Sequence, residues 1–156
     1  MSVSLIVMGA AGRMGSAIAR LAVESEDLTL AALVERPEHQ EKVTRPAGAE
    51  VIVTSRLEDA LSGVPGAVII DFTAPVVTME TVRTASRHGS PVVIGTTGFS
   101  ADQRKQLDDL ARRTPLFLSP NMSVGVNVLL EELPRLAAML GDAYDMEVTE
   151  IHHNRK

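Results

Sequence analysis

The sequence contains no cysteine, which excludes disulfides, thiolate metal sites and a cysteine nucleophile. It also contains no long run of basic residues, and its formal net charge is −5. This charge balance argues against general binding of nucleic acids. No internal repeat or low-complexity segment is present, so the remaining signals come from individual motifs and their spacing.

Long apolar segments are missing as well. The first four residues, Met-Ser-Val-Ser, carry no basic side chain, and the apolar run after them is too short for a signal peptide or a membrane span. Hydrophobic residues make up 45% of the chain and charged residues 22%, which predicts a globular protein with a substantial core. The predicted location is therefore the cytoplasm.

Three glycines at three-residue steps follow the first apolar run: Gly9, Gly12 and Gly15. The pattern predicts a buried parallel strand, a tight turn and the first turn of a helix. Such a turn directs backbone N–H groups and the positive end of a helix at one point, which suits a pyrophosphate. Gly9 would permit the turn, Gly12 the approach of a ligand, and Gly15 close packing of helix on strand. The alternative is a glycine-rich turn that binds nothing.

A second signal stands at the end of the next predicted strand, Leu28–Val34, where Glu35 and Arg36 follow. Glu35 lies about twenty residues after Gly15, where a dinucleotide-binding fold places an acid on the adenosine ribose. A carboxylate there favours NAD, whereas the neighbouring arginine can pair with a 2′-phosphate and favours NADP. Both cofactors stay open, and the alternative is a plain charged pair at a strand end.

Strands and helices alternate through residue 118, which predicts an α/β, doubly wound parallel sheet covered on both faces. The other predicted strands are Glu50–Thr54, Ala67–Ile70, Pro91–Ile94 and Leu116–Leu118, and the predicted helices are Arg13–Glu24, Leu57–Leu61, Val76–His88 and Ala101–Arg113. Residues 39–49 are predicted to form a loop. In this architecture ligands bind beyond the carboxyl ends of the strands. Five polar or glycine-rich segments fall at such ends: Gly9–Gly15, Glu35–Arg36, Asp71–Thr73, Gly95–Gly98 and Ser119–Met122.

The pattern changes near residue 123, where a long helix, Val124–Leu140, and a strand, Asp145–His153, are predicted. A single strand cannot bury both faces, and its backbone needs hydrogen-bond partners. We therefore expect residues 1–122 to form a dinucleotide-binding domain and residues 123–156 to begin a second, substrate or oligomerisation domain. The strand is expected either to join a neighbouring subunit or to belong to a longer chain.

The end of the sequence is rich in groups that transfer protons. On an extended segment His152 and Lys156 share one face, and His153 lies on the other. A histidine titrates near neutral pH, and the lysine can bind a carboxylate or act as an acid. The alternative is a solvated charged tail. Adjacent histidines on a strand point apart and no third ligand stands at metal spacing, so no metal site is predicted.

Taken together, the motifs resemble one enzyme family. Gly9–Gly15, Asp71–Thr73, Val93–Phe99, Asn121–Asn127 and Glu150–His153 with Lys156 are similar, in collinear order, to 4-hydroxy-tetrahydrodipicolinate reductase, also called dihydrodipicolinate reductase. The resemblance implies reduction of a cyclic dicarboxylate by NADH or NADPH in the diaminopimelate and lysine pathway. It also implies a homotetramer. A dinucleotide-binding module without catalysis and a reductase of another imine or carbonyl are the alternatives.

The resemblance also implies roles for individual residues. His152 corresponds to the general acid/base, Lys156 to a proton donor and His153 to a substrate contact. The family's cofactor-binding positions correspond to Gly9, Ala10, Ala11, Gly12, Arg13, Met14, Glu35, Arg36, Gly95, Thr96, Thr97, Ser119, Pro120, Asn121 and Met122. The sequence departs from the family at Ser119–Pro120, where two alanines are common, and at Met122, where an aromatic is common. The family continues after the lysine with an Asp-Ala-Pro-Ser-Gly-Thr segment that binds a substrate carboxylate.

Overall fold

The computed structural model describes residues 2–149 and 151. They fall into two compact units, one that extends to Pro120 and one that begins at Asn121. The first unit contains a six-stranded sheet, and all of its strand pairs are parallel. The predicted α/β doubly wound sheet is confirmed. Its strands are β1 (Val3–Met8), β2 (Leu28–Val34), β3 (Ile52–Thr54), β4 (Val68–Asp71), β5 (Val92–Ile94) and β6 (Leu116–Leu118).

Four α-helices of the described residues accompany the sheet in this unit. They are α1 (Arg13–Glu24), α2 (Leu57–Gly63), α3 (Pro75–His88) and α4 (Ala101–Ala111). The bounds of α1 agree with the prediction, and α3 ends at Gly89, whose φ of 65° gives the left-handed cap that a glycine provides. The predicted loop over residues 39–49 is partly wrong, because a 3₁₀ helix occupies Pro37–Lys42. The proline presets the backbone dihedral for the first turn of this helix.

The core lies on both faces of the sheet, as the alternation along β1 requires. Ile6 and Met8 belong to a buried cluster that also contains side chains of α2, α3 and α4. Leu5 and Val7 belong to a second cluster, on the α1 side, with Ala19. Each face of the central strand is therefore packed against a helix, which is why β1 is almost wholly apolar.

The strand order, β3-β2-β1-β4-β5-β6, fixes where a ligand can bind. The chain runs outward from β1 to β3 in one direction and then returns to β4 on the other side of β1. At this reversal the connections after β1 and β4 diverge and leave a crevice at the carboxyl ends. The glycine turn after β1 lies at this point.

The second unit contains one long helix, α5 (Val124–Leu140), as predicted. The Asn127 amide donates to the carbonyl oxygens of Asn121 and Ser123 at 2.9 and 2.8 Å, so its role is to hold the backbone before the helix. The prediction of a strand over Asp145–His153 is not met in residues 145–149 and 151, which have no strand partner there. A strand forms only where a neighbouring strand pairs with its backbone groups. Among residues 2–149 and 151, no helix has the length and apolar character needed to cross a membrane.

Candidate functional site

The glycine turn after β1 is held by close backbone packing. Gly9 has a φ of +63°, in the left-handed region that favours glycine, and a Cβ there would lie 2.8 Å from the Thr73 Cγ2 atom. A Cβ at Gly15 would collide with the carbonyl oxygen of Gly9, so the helix can approach the strand only through glycine. Gly9 and Gly15 thus have the structural roles that the sequence predicted for them.

Gly12 is the N-cap residue of α1, and its backbone is ordinary, with a φ of −75° and a ψ of 165°. Its N–H donates to the Gly9 carbonyl at 2.9 Å, which closes the turn. Within the described chain no side chain caps α1 at this residue. Because Gly12 has no side chain, an anion can approach the positive N-terminal end of α1 at this residue. Anion-binding sites at helix N-termini have this arrangement.

Glu35, which follows β2, is fixed against the same turn. Its side chain is mostly buried, with 8% of the residue exposed. The Ala11 backbone N–H donates to Oε2 at 2.9 Å, and the Arg36 N–H donates to Oε1 at the same distance. Because each carboxylate oxygen can accept more than one hydrogen bond, both oxygens keep capacity for further donors such as ribose hydroxyls. The spacing of the motifs predicted that Glu35 lies near the glycine turn. The hydrogen bond from Ala11 joins the turn and the acid directly.

A cavity of about 850 Å³ opens beside these residues at the carboxyl ends of β1 to β4. Gly9, Ala11, Gly12, Glu35 and Arg36 line it, so five of the predicted cofactor-binding residues meet in one place. Phe72 and Thr73, which follow β4, form part of its wall. Its volume is within the range of small-molecule and cofactor pockets.

Sequence reasoning missed several basic residues of this cavity. His39 and Lys42, from the 3₁₀ helix, and Arg56, which precedes α2, line it together with Arg36. The Arg36 Nη2 atom lies 3.1 Å from the His39 Nδ1 atom, so the guanidinium is held near the start of the 3₁₀ helix. The three-residue spacing of His39 and Lys42 was the available signal. Because the segment is polar and has no apolar period, the sequence did not show where in the fold these side chains would lie. The cavity lining thus combines the buried Glu35 carboxylate with several basic groups, and it also includes Glu58 and Glu80. The basic groups suit a phosphorylated nucleoside.

Glu58, a further lining residue, is engaged with its own neighbours. Its pKa lies below the usual value, chiefly because a hydrogen bond from its own backbone N–H favours the carboxylate, and Arg87 adds to this effect. An Arg87 Nη2 atom donates to Glu58 Oε1 at 2.8 Å. This exposed ion pair links α2 to α3 beside the cavity.

The segment after β4 connects the glycine turn to the end of β5. The Asp71 Oδ1 atom accepts hydrogen bonds from the Thr73 N–H at 2.8 Å and from the Thr73 hydroxyl at 2.6 Å. A Cβ at Gly95 would overlap the ring of Phe72, so the loop after β5 can approach this segment only at a glycine. The Gly95 N–H donates to the Asp71 carbonyl at 2.9 Å. The sequence singled out this strand end and assigned no role to its residues.

The remaining predicted cofactor positions lie further along the chain. Thr96 is 4% exposed, and its hydroxyl lies 2.8 Å from the Thr78 hydroxyl inside the protein. The Ser119 N–H donates to the Ile94 carbonyl at 3.1 Å, at the end of β5. Pro120 ends the first unit, and Asn121 and Met122 belong to the second. Gly95, Thr96 and Thr97 do not line the cavity described above, whose lining comes from the ends of β1 to β4.

The predicted catalytic and substrate residues cannot be placed. His152, His153 and Lys156 lie outside the described residues, which are 2–149 and 151. Their roles therefore rest on the resemblance of the sequence motifs.

Comparison with known proteins shows the family to which the chain belongs. Residues 3–122 match the model of the family described as "Dihydrodipicolinate reductase, N-terminus". The chain is 54% identical over its whole length to a protein of Nitratidesulfovibrio vulgaris (strain DP4) named 4-hydroxy-tetrahydrodipicolinate reductase, of which it spans 59%. It is 51% identical to the protein of the same name from Oleidesulfovibrio alaskensis, again over 59% of that protein.

A solved structure gives the same result for the fold. The dipicolinate-bound dihydrodipicolinate reductase of Paenisporosarcina sp. TG-14 is similar to the chain with a TM-score of 0.74 at 28% identity. The match covers 88% of this chain and 54% of that one. The chain thus spans a little under three fifths of the curated relatives that it matches, 59% of the first. On the family match and these identities, the chain belongs to the dihydrodipicolinate reductase family.

Proposed function

We propose that the protein to which this chain belongs reduces 4-hydroxy-tetrahydrodipicolinate to tetrahydrodipicolinate with NADH or NADPH, a step of lysine and diaminopimelate biosynthesis. The observation that carries the proposal is the Glu35 carboxylate, mostly buried and anchored on the Ala11 N–H of the glycine turn. It joins the two motifs of a dinucleotide site in one cavity. The relatives with 54% and 51% identity carry the name of this enzyme, which favours its substrate over another imine or carbonyl.

The residues of the cavity fit a dinucleotide. Gly12 leaves the N-terminal end of α1 open to a pyrophosphate, and Glu35 offers carboxylate oxygens to the adenosine ribose. Arg36 provides a guanidinium for a 2′-phosphate. When bound, the dinucleotide supplies the hydride, and the protein supplies binding, orientation and a proton. Ala10, Arg13 and Met14 complete the turn, and Gly95, Thr96 and Thr97 are proposed to meet the nicotinamide half, together with residues 119–122.

The proton and the substrate contacts are proposed from the sequence motifs. His152 is the general acid/base, Lys156 is a second proton donor, and His153 contacts the substrate. A histidine suits this role because its charge changes near neutral pH, and a lysine can also pair with a substrate carboxylate. Residues 1–122 are proposed as the dinucleotide-binding domain and residues 123–156 as the start of the substrate domain. We propose that the whole protein is a homotetramer and lies in the cytoplasm.

The direct test is a reductase assay of the whole protein, with the substrate generated enzymatically and the oxidation of NADH or NADPH followed by absorbance. We expect turnover that depends on both substrate and reduced dinucleotide. Binding of the dinucleotide without any oxidation in the presence of substrate would leave a binding module and contradict the proposed reduction.

Cofactor choice gives a second test, on the chain itself. We expect NADH and NADPH to bind with dissociation constants within about tenfold of each other, because Glu35 and Arg36 serve opposite preferences. Replacing Arg36 by alanine is expected to weaken NADPH several-fold more than NADH, since only NADPH has the 2′-phosphate. Fluorescence titration of each cofactor measures both constants.

The matched control for this variant is Arg20→Ala. Both arginines are exposed and lie near a carboxylate, Arg36 near Glu38 and Arg20 near Glu24, but Arg20 lies on α1 away from the cavity lining. The control is expected to leave both affinities unchanged. A preference of more than about a hundredfold for either cofactor in the unaltered chain would contradict the mixed site.

A further inference from the structure

Beneath the glycine turn, a group of buried polar side chains connects two loops of the first unit. It consists of Asp71 at the end of β4, Thr73 just after it, Thr78 of α3 and Thr96 after β5. Asp71 and Thr78 are fully buried, and Thr96 is nearly so. We refer to these four residues as the Asp71 cluster. None of the functional assignments above uses the carboxyl group at its centre.

Within the described residues, one oxygen of Asp71 makes all of the carboxyl group's hydrogen bonds. Asp71 Oδ1 accepts from the Thr73 N–H and hydroxyl, and the Thr96 hydroxyl lies 3.5 Å from it. The Thr78 hydroxyl lies 2.8 Å from that of Thr96 and 3.5 Å from that of Thr73, which closes the group. Such hydrogen bonds are strong in a site that excludes water, so the threonines have one preferred arrangement.

The second oxygen of Asp71 does not stabilise the fold by a hydrogen bond to any described residue. Among the residues that the structure describes, Asp71 Oδ2 is buried and has no hydrogen-bond partner. A buried acceptor without a partner opposes folding, and an apolar residue of similar size at this point would avoid that cost. Among the described residues, Thr81, Ser90 and Thr114 also have such atoms, so it is the position of Asp71 between the two loops that distinguishes it.

Two threonines of the cluster lie in loops of the proposed dinucleotide site. We call Thr73 with its hydrogen bonds to Asp71 the Thr73 arm, and Thr96 with its contacts to Asp71 and Thr78 the Thr96 arm. The Thr73 methyl group packs against Gly9, where an added Cβ would lie only 2.8 Å from it. Thr96 directly follows Gly95, in the loop proposed to meet the nicotinamide half. A shift of either threonine would therefore move the backbone that a dinucleotide contacts.

We propose that Asp71 is a positioning residue that holds Thr73 beneath the glycine turn and Thr96 in the loop after β5, so that both halves of a dinucleotide meet fixed loops. The inference rests on the proposed function. The Thr73 arm governs the pyrophosphate turn, and the Thr96 arm governs the nicotinamide side. Removing the hydroxyl group of one of these threonines should therefore change the affinity only for ligands that contact the corresponding loop.

The test uses the chain of 156 residues and two ligands, NADH and ADP-ribose, which lacks the nicotinamide ring. For Thr96→Val we expect NADH to bind about tenfold more weakly and ADP-ribose to bind within about twofold of the unaltered chain. For Thr73→Val we expect both ligands to bind about tenfold more weakly. Asp71→Leu removes the oxygen that both threonines reach, so we expect both ligands to bind about tenfold more weakly, whereas Asp71→Asn keeps such an oxygen and should hold both affinities within about threefold. Calorimetric titration gives the dissociation constants.

The matched control is Thr114→Val, which removes a buried hydroxyl that has no partner within the described residues and lies just before β6, at the amino ends of the strands. Thr114→Val should leave both affinities unchanged. Its melting temperature, measured beside those of the other variants, shows whether a loss of stability alone changes binding. Equal losses of both ligands in Thr96→Val, or an unchanged Thr73→Val, would overturn the positioning role. An unaltered chain that binds neither ligand would instead overturn the proposed function itself.

Discussion

The Gly12→Val variant is expected to remain folded and to bind NADH at least about a hundredfold more weakly than the unaltered chain. The backbone at Gly12, with a φ of −75°, suits any residue, so the substitution brings no dihedral strain. The added Cβ would lie 3.1 Å from the Gly9 carbonyl oxygen, so that backbone atom must move by a few tenths of an ångström. The two branched methyl groups, however, would stand at the N-terminal end of α1, where the pyrophosphate is proposed to bind. Fluorescence titration with NADH, beside a circular-dichroism melt, measures both effects.

The control is Gly12→Ala. It introduces the same Cβ contact with Gly9 and omits the branched methyl groups, so it separates a disturbed turn from an obstructed site. We expect its affinity for NADH to lie between those of the unaltered chain and the valine variant. A folded Gly12→Val protein with unchanged affinity would show that the dinucleotide binds elsewhere.

In the whole protein, His152→Gln is expected to lower turnover by about 10²–10⁴-fold, which is the usual contribution of a general acid or base. Glutamine keeps the capacity for hydrogen bonding and loses the proton that titrates near neutral pH. The affinity for NADH should hardly change, because the proposed dinucleotide contacts lie upstream in the sequence. Steady-state kinetics together with a separate NADH titration distinguishes the two effects.

His88→Gln is the matched control for that variant, since His88 is an exposed histidine in the last turn of α3. It should keep full turnover. Lys156→Ala is expected to lower turnover, substrate affinity or both, because it removes a cation that a dicarboxylate can use. A His152→Gln enzyme with normal turnover would contradict the assignment of the proton to this residue.

Much of the fold follows from the sequence because the elements have clear periods. The apolar run of β2 and the apolar stripe of α1 are bounded by polar residues, and both elements have the predicted limits. Pro37–Lys42 has no apolar period, so a 3₁₀ helix could not be told from a loop. The strand expected at Asp145–His153 shows a further limit, since an alternating pattern forms a strand only where another strand supplies hydrogen bonds.

The candidate site follows from the sequence only in part. Glycine spacing and the distance to Glu35 indicated the turn and the acid, because both are local features of one βαβ unit. The contact between Glu35 and Ala11, the inward hydroxyl of Thr96 and the carboxyl contacts of Asp71 depend on which strand ends become neighbours. That information is held in the strand order, which no single segment reveals.

The central claim is that a dinucleotide binds at the glycine turn beside Glu35. Its most direct test is the change in backbone amide resonances of an isotope-labelled chain on titration with NADH. We expect the largest changes at Ala11, Gly12, Glu35 and Arg36, and none at Thr114, at the opposite ends of the strands. Saturation with NADH that leaves these four amides unmoved while Thr114 shifts would contradict the account.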